Sequence, residues 1–133
     1  MIILILSVLL VISAIGLIYY WVDFYLRKGV QVIQEDWYLK FQKSFPVADM
    51  WLAVCALLGA VGLLTEQNYG LLFSLLAASS LIFLALMDIT FNIKNKLYRL
   101  VGESREMVFE VVINLWSLLL GIILIVCLGA RII

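Results

Sequence analysis

Four long apolar runs constrain the fold of this chain more than any other feature of the sequence. They cover residues 2–22, 47–64, 70–91 and 107–130 of a chain of 133 residues. At about 1.5 Å of rise per residue, helices of these lengths cross a hydrocarbon layer about 30 Å thick. The sequence therefore predicts an all-α integral membrane protein in which residues 1–133 form a single domain, a four-transmembrane-helix bundle.

The composition supports the same fold class and removes several kinds of chemistry. Hydrophobic residues make up 66% of the chain and charged residues 14%, with a mean hydropathy of +1.18, whereas a soluble domain is about half apolar and about a quarter charged. Nine basic and nine acidic residues cancel, so nothing indicates nucleic-acid binding. The chain has no histidine, which excludes His-centred triads, His-ligated haem and His-based zinc sites.

The two cysteines, Cys55 and Cys127, stand alone in different apolar runs. Because the chain has no C-x-x-C pair, a disulfide oxidoreductase or a structural zinc site is not indicated. Both residues are interpreted as small hydrophobic side chains of the core. The sequence predicts no cofactor, and it leaves the identity of any metal ion open.

The distribution of lysine and arginine predicts the orientation in the membrane. The connections between runs one and two and between runs three and four hold eight of the nine basic residues, and the C-terminal tail holds Arg131 alone. Cytoplasmic connections carry the excess of positive charge in membrane proteins. We therefore expect a multi-pass protein of the cell (plasma) membrane, with both longer connections in the cytoplasm and both termini outside.

The first connection contains a second helical pattern. Apolar side chains recur at helical spacing from Val30 to Phe45, and charged residues fill the opposite side. The pattern predicts an amphipathic helix over about residues 30–44, lying in the cytoplasmic interface and anchored by Trp37 and Tyr38. Pro46 is expected in the first turn of the second spanning helix. Gly102 and Ser104 are expected to end the segment before the fourth spanning helix and to cap that helix.

A polar stripe interrupts the apolar character of the fourth run. Spacings of three and four residues place its members on one helical face; they are Glu103, Glu106, Glu110, Asn114, Ser117 and Gly121. A carboxylate and a carboxamide inside a spanning helix are unfavourable against lipid, so they should face protein or water. We expect Glu103 and Glu106 in the solvated interface. The candidate functional residues of the stripe are therefore Glu110 and Asn114.

The other three runs each bring a polar face to the same end. In a bundle these faces converge on one cytosol-facing pocket. The candidate ligand-binding residues are Glu110, Asn114, Asp88, Asp49, Asn92, Ser117, Tyr20 and Asp23. Their carboxyl and amide oxygens suit a hard cation or a protonated amine. Two purely structural alternatives stay open. The three aspartates could lie among basic residues at the level of the lipid headgroups. Glu110 and Asn114 could only form hydrogen bonds between helices.

Three functions remain open at this point. The leading interpretation is a non-enzymatic membrane protein that binds a cation or a small amphipathic ligand in this pocket, as a transporter-like unit or an accessory subunit. The alternative is a lipid-modifying enzyme of isomerase type that uses the same carboxylates. The third is a structural subunit whose small faces, such as Ala53, Ala56 and Ala60 on the second helix, dock on a partner. The expected partners are membrane lipids and either a partner membrane subunit or further copies of the chain.

Overall fold

The computed structural model describes residues 1–27 and 35–132, and these residues form five α-helices and one 3₁₀ helix. The α-helices are α1 (Ile2–Arg27), α2 (Asp36–Gln42), α3 (Pro46–Leu64), α4 (Asn68–Lys94) and α5 (Arg105–Gly129). The 3₁₀ helix, Leu97–Gly102, lies between α4 and α5. The described residues contain no β-strand, so the predicted all-α class is confirmed.

Four helical stretches are long and apolar enough to cross a membrane, namely Ile2–Leu26, Asp36–Leu64, Asn68–Lys94 and Arg105–Gly129. The predicted four-helix bundle is therefore confirmed, and the chain is a small multi-span membrane protein. Two helices continue beyond the apolar runs, α1 to Arg27 and α4 to Lys94. In α1 the extension is stabilised by packing, because Phe24 in its last turns is buried.

Three pairs of long helices pack closely: α1 lies on α3, α3 on α4, and α4 on α5. Small residues allow the closest approach, which is between α3 and α4. A Cβ added to Gly62 would overlap the Cα of Gly70. The small residues of α3, Ala53, Ala56 and Ala60, are buried within the bundle, so the face that could have docked on a partner packs inside this chain.

The predicted interfacial helix is present only in part among the described residues. Residues 28–34 lie outside them, and α2 begins at Asp36 and ends at Gln42. Trp37 is exposed, as expected of an interfacial residue, but Tyr38 is 0% exposed. Tyr38 is not an anchor at the interface, because it packs with Leu97 and Met107 against the end of the bundle.

Aromatic stacking holds α2 against α4. The rings of Phe41 and Phe91 are stacked with their centroids 3.8 Å apart and their planes 7° apart. We call this end of the bundle, which carries α2 and the 3₁₀ helix, the α2 end.

The residues predicted to begin or end helices have these positions in the structure. Pro46 is the first residue of α3, and Gly102 is the last residue of the 3₁₀ helix. The Ser104 side chain caps α5, because its hydroxyl accepts a hydrogen bond from the Met107 backbone N–H at 3.2 Å.

Candidate functional site

A cavity of about 330 Å³ lies inside the α2 end of the bundle. Its walls come from α1, α3, α4 and α5, and Gln42 of α2 also lines it. Most of the lining is apolar. Its polar part includes six of the eight residues predicted from the sequence: Tyr20, Asp49, Asp88, Glu110, Asn114 and Ser117. Their convergence on one cavity agrees with the expected meeting of the polar faces, and their role as ligand-binding residues stays a prediction.

Glu110 is the most thoroughly enclosed of the carboxyl groups. Its residue is 3% exposed, and the Tyr38 hydroxyl donates a hydrogen bond to its Oε1 at 3.1 Å. The Asn92 amide donates to Oε2 at 3.5 Å. Because α2 supplies Tyr38 and α4 supplies Asn92, this one carboxyl group ties three elements together.

Asp88 lies beside Glu110, close enough for a direct interaction between the two carboxyl groups. One Asp88 oxygen, Oδ1, is buried and has no hydrogen-bond partner among the described residues. Two carboxylates in a medium of low permittivity repel each other when both are charged. The pair therefore favours a proton shared between the two carboxyl groups or a positive group beside them.

Asp49 has a partner of its own on α1. The Trp21 indole N–H donates a hydrogen bond to Asp49 Oδ2 at 2.6 Å, and both residues are buried. Burial of a carboxyl group is unfavourable without such a bond. Among residues 1–27 and 35–132, Asp49 is thus held by an indole inside the bundle and not by a basic residue.

Asn114 is fixed by the 3₁₀ helix. Its Nδ2 donates a hydrogen bond to the Tyr98 hydroxyl at 2.9 Å, and Asn92 also lies within hydrogen-bonding range of that hydroxyl. Burial raises the pKa of the Tyr98 hydroxyl above its ordinary value, so the group stays protonated. Glu110, Asn92, Tyr98 and Asn114 form a connected network, in which Glu110 and Asn114 line the cavity and Asn92 and Tyr98 lie behind it.

Two predicted residues do not line the cavity. Asn92 lies behind it and holds Glu110, whereas Asp23 is half-buried near the end of α1 and is absent from the lining. Asp23 points elsewhere because Trp21 and Phe24 occupy the buried side of this part of α1.

The sequence reasoning missed three hydrogen-bond partners of the carboxyl and amide groups, Trp21, Tyr38 and Tyr98, and it missed Gln42 as a lining residue. Gln42 is 3% exposed, lines the cavity and has an amide nitrogen without a partner among the described residues. The aromatic residues near the helix ends were the only sequence signal for these partners. Aromatic belts at membrane interfaces give the same pattern, so the signal does not distinguish the two.

The cavity is lined by acidic but not by basic side chains among the described residues. Three acidic side chains line it, and the lining contributed by the described residues includes no lysine or arginine. The ion pair found in the described part of the chain joins Lys40 and Asp36 at 3.0 Å on the exposed side of α2. In residues 1–27 and 35–132, no group of three or more acidic or cysteine side chains is arranged to hold a metal ion.

The exposed residues of the cavity lining belong to α1 and α5, so we place the opening of the cavity between these two helices. These two helices are not among the closely packed pairs in the described structure. Several residues both line the cavity and are exposed on this side: Ile12 and Gly16 of α1, and Val112, Ile113 and Trp116 of α5. The Trp116 indole N–H donates a hydrogen bond to Ser13 Oγ at 2.9 Å and so bridges the two helices. We call the gap beside this bridge the α1–α5 opening.

Comparison with known proteins identifies no relative, since no family description, curated protein or solved structure matches this chain.

Proposed function

We propose that this membrane protein binds a positively charged amphipathic ligand in the cavity, as a transporter-like unit or as an accessory subunit of a larger membrane assembly. The observation that carries the proposal is the set of three acidic side chains, Asp49, Asp88 and Glu110, on a cavity whose described lining has no basic residue. A protonated amine complements these groups, because its N–H donors meet carboxylate acceptors in charge-assisted hydrogen bonds.

Unpartnered polar groups provide independent support for a ligand. Asp88 Oδ1 and Gln42 Nε2 are buried without partners among the described residues, although buried polar groups in proteins are generally hydrogen-bonded. Both residues line the cavity. The N–H donors of an ammonium group would satisfy the Asp88 oxygen, whereas the Gln42 amide nitrogen is itself a donor and needs an acceptor on the ligand. Glu110 supplies the key charge, Asn114 orients the ligand, and Asp49 and Asp88 close the pocket.

The apolar lining favours an amphipathic ligand over an inorganic cation. A volume of about 330 Å³ is at the lower end of the range for small-molecule sites, about 300–1,000 Å³. Contact with apolar walls does not stabilise a hydrated cation. The carbon atoms next to an ammonium group, in contrast, bind more favourably when they contact such walls.

The proposal is tested by calorimetric titration of the protein in lipid nanodiscs with butylammonium, butanol and butyrate. Butylammonium should bind, whereas butanol and butyrate should not. Glu110→Gln should weaken butylammonium binding at least about tenfold, the equivalent of one charge-assisted hydrogen bond. Glu103→Gln, at an exposed site just before α5, is the matched control and should bind as the wild type does.

Two results would refute the proposal: equal binding of butanol and butylammonium, or undiminished binding by Glu110→Gln. Asp88→Asn serves as the second variant if Glu110→Gln does not fold, and it should show the same loss. Far-UV circular dichroism establishes the helical content of each variant.

Orientation belongs to the same proposal, because a cytosol-facing pocket requires the α2 end to lie in the cytoplasm. In a background with both native cysteines replaced by alanine, Arg99→Cys should react with an impermeant maleimide only from the cytoplasmic side. Glu66→Cys, in the turn between α3 and α4, should react only from outside. The reverse labelling pattern would mean that the pocket faces outward.

A second candidate, a lipid-modifying enzyme of isomerase type, is favoured by one observation: the α1–α5 opening gives a lipid-like substrate a lateral route to the Asp88 and Glu110 carboxyl groups. Incubation with total membrane lipids, followed by chromatographic separation of isomers, distinguishes the candidates. An isomer that forms with the wild type and not with Glu110→Gln would support the enzyme, and no new isomer would leave binding as the function.

A further inference from the structure

We infer that the ligand is a single-chain alkylammonium amphiphile whose chain leaves the cavity sideways through the α1–α5 opening into the bilayer. This inference rests on the proposed function and adds the class of ligand and its route. It follows from the size of the cavity, the position of the charges and the frame of the opening.

The cavity is too small for the whole of such a molecule. A volume of about 330 Å³ is that of about eleven water molecules at about 30 Å³ each. Because a methylene group is about as large as a water molecule, an ammonium group and about ten carbon atoms fill it, so the end of a chain of twelve carbons extends outside. The wall between α1 and α5 is where exposed residues also line the cavity.

The frame of the opening suits an alkyl chain. Gly16 provides a gap in the α1 wall, because a Cβ added there would have nothing within 4 Å. Opposite it, Ile113 of α5 is 38% exposed and lines the cavity. The Ser13–Trp116 hydrogen bond spans the two helices next to Gly16. Since these surfaces belong to membrane-spanning helices, a chain that passes between them continues directly into lipid.

The charges lie at the inner end of this route. Glu110 and Asp88 line the same cavity as Gly16 and Ile113, and Glu110 is one turn before Ile113 on α5. An ammonium group at the carboxyl pair is therefore about one helical turn, ~5 Å along α5, from Ile113 at the opening. The Ser13–Trp116 hydrogen bond crosses the α1–α5 opening and narrows it. A molecule with two chains would need a wider gap.

A chain-length series tests the inference. Radiolabelled butylammonium, octylammonium and dodecylammonium are bound to the protein in nanodiscs, the signal of protein-free discs is subtracted, and affinity is referred to the free aqueous concentration. If the chain passes into the bilayer, affinity should rise about threefold to fourfold per added methylene through dodecylammonium, following a transfer free energy of about 0.8 kcal/mol per methylene.

Two variants obstruct the opening from opposite sides. In Gly16→Trp and in Ile113→Trp, the rise in affinity should stop once the chain fills the cavity, so that dodecylammonium loses more affinity relative to the wild type than butylammonium does. Gly129→Trp is the matched control, since Gly129 is a helical glycine that also has nothing within 4 Å of an added Cβ and is absent from the cavity lining. It should retain the full series.

The outcomes separate the inference from the proposed function. If butylammonium binds but affinity stops rising after the short chains in the wild type, the inference is wrong and the proposed function stands. The inference is also wrong if both obstructing variants retain the full series. If no alkylammonium binds, both are wrong.

Discussion

The hydrogen bond between Trp21 and Asp49 gives the sharpest test of how the site is built. Both residues are buried, at 6% and 8% exposed, and the donor and acceptor atoms are 2.6 Å apart. Hydrogen bonds to charged groups contribute about 1.5–3 kcal/mol in soluble proteins. Couplings measured in a membrane protein average about 0.6 and reach about 1.7 kcal/mol. Because this bond is short and enclosed, we expect a coupling near the upper value, about 1.5 kcal/mol.

A double-mutant cycle measures that coupling. The variants are Trp21→Phe, Asp49→Leu and the double substitution, and the free energy of unfolding is followed by circular dichroism during titration of mixed micelles with dodecyl sulfate. Trp21→Phe alone should cost about 2–3 kcal/mol, since the loss of indole surface adds about 1 kcal/mol to the lost bond. The double variant should lose about 1.5 kcal/mol less than the sum of the single variants.

Trp51→Phe is the control, because Trp51 lies on the same helix as Asp49 and is 54% exposed. Its substitution should change the free energy of unfolding by no more than about 0.5 kcal/mol. The reasoning would be refuted if Trp21→Phe cost no more than Trp51→Phe, or if the coupling in the cycle were close to zero.

Two further predictions concern the scaffold that carries the cavity. Gly62→Ala should destabilise the bundle by about 1–3 kcal/mol, because the added methyl group overlaps the Gly70 backbone. Gly129→Ala, where an added Cβ meets nothing within 4 Å, should be neutral or stabilising, and equal losses in the two variants would argue against the close approach of α3 and α4. Ser104→Ala should cost about 1 kcal/mol by removing the cap on the Met107 N–H, and Ser104→Asp should retain the stability. An unchanged unfolding free energy in Ser104→Ala would show that the cap is not used.

The helices were largely predictable because membrane-spanning sequences are constrained along their whole length. Apolar runs of spanning length gave the four long helices, and Pro46 and Ser104 marked the starts of α3 and α5 correctly. The extension of α1 to Arg27 was not predictable from hydropathy. It depends on Phe24, whose burial is a tertiary contact that the apolar pattern does not encode.

The carboxyl and amide residues of the site were predictable from the sequence, but their hydrogen-bond partners were not. Helical spacing placed Glu110 and Asn114 on an inward face, because a carboxyl or carboxamide group against lipid is costly. The same spacing left Tyr38 at the interface, since an amphipathic helix packed on protein has the same pattern as one lying on lipid. Burial of Tyr38 against Glu110 is determined by the way α2 folds back on α4 and α5.

The α1–α5 opening could not have been predicted from the sequence. Lipid-facing and protein-facing positions carry the same apolar residue types. The hydrophobic pattern of the sequence therefore does not determine the order of helices around the bundle. Ile12 and Ile113 resemble any other residues of their runs, and only the packing of α1 on α3 and of α5 on α4 leaves them on the two sides of one gap.

Photolabelling with a dodecylamine that carries a diazirine on its chain tests the central claim most directly. After irradiation in nanodiscs, mass spectrometry of the digested protein should find adducts on Ile12, Gly16 and Ile113, and unlabelled dodecylamine, but not dodecanol, should remove them. Adducts confined to outward faces such as Val54 of α3 and Phe83 of α4, which are exposed and absent from the cavity lining, would contradict the account. So would labelling around the opening that dodecanol suppresses as well as the amine does.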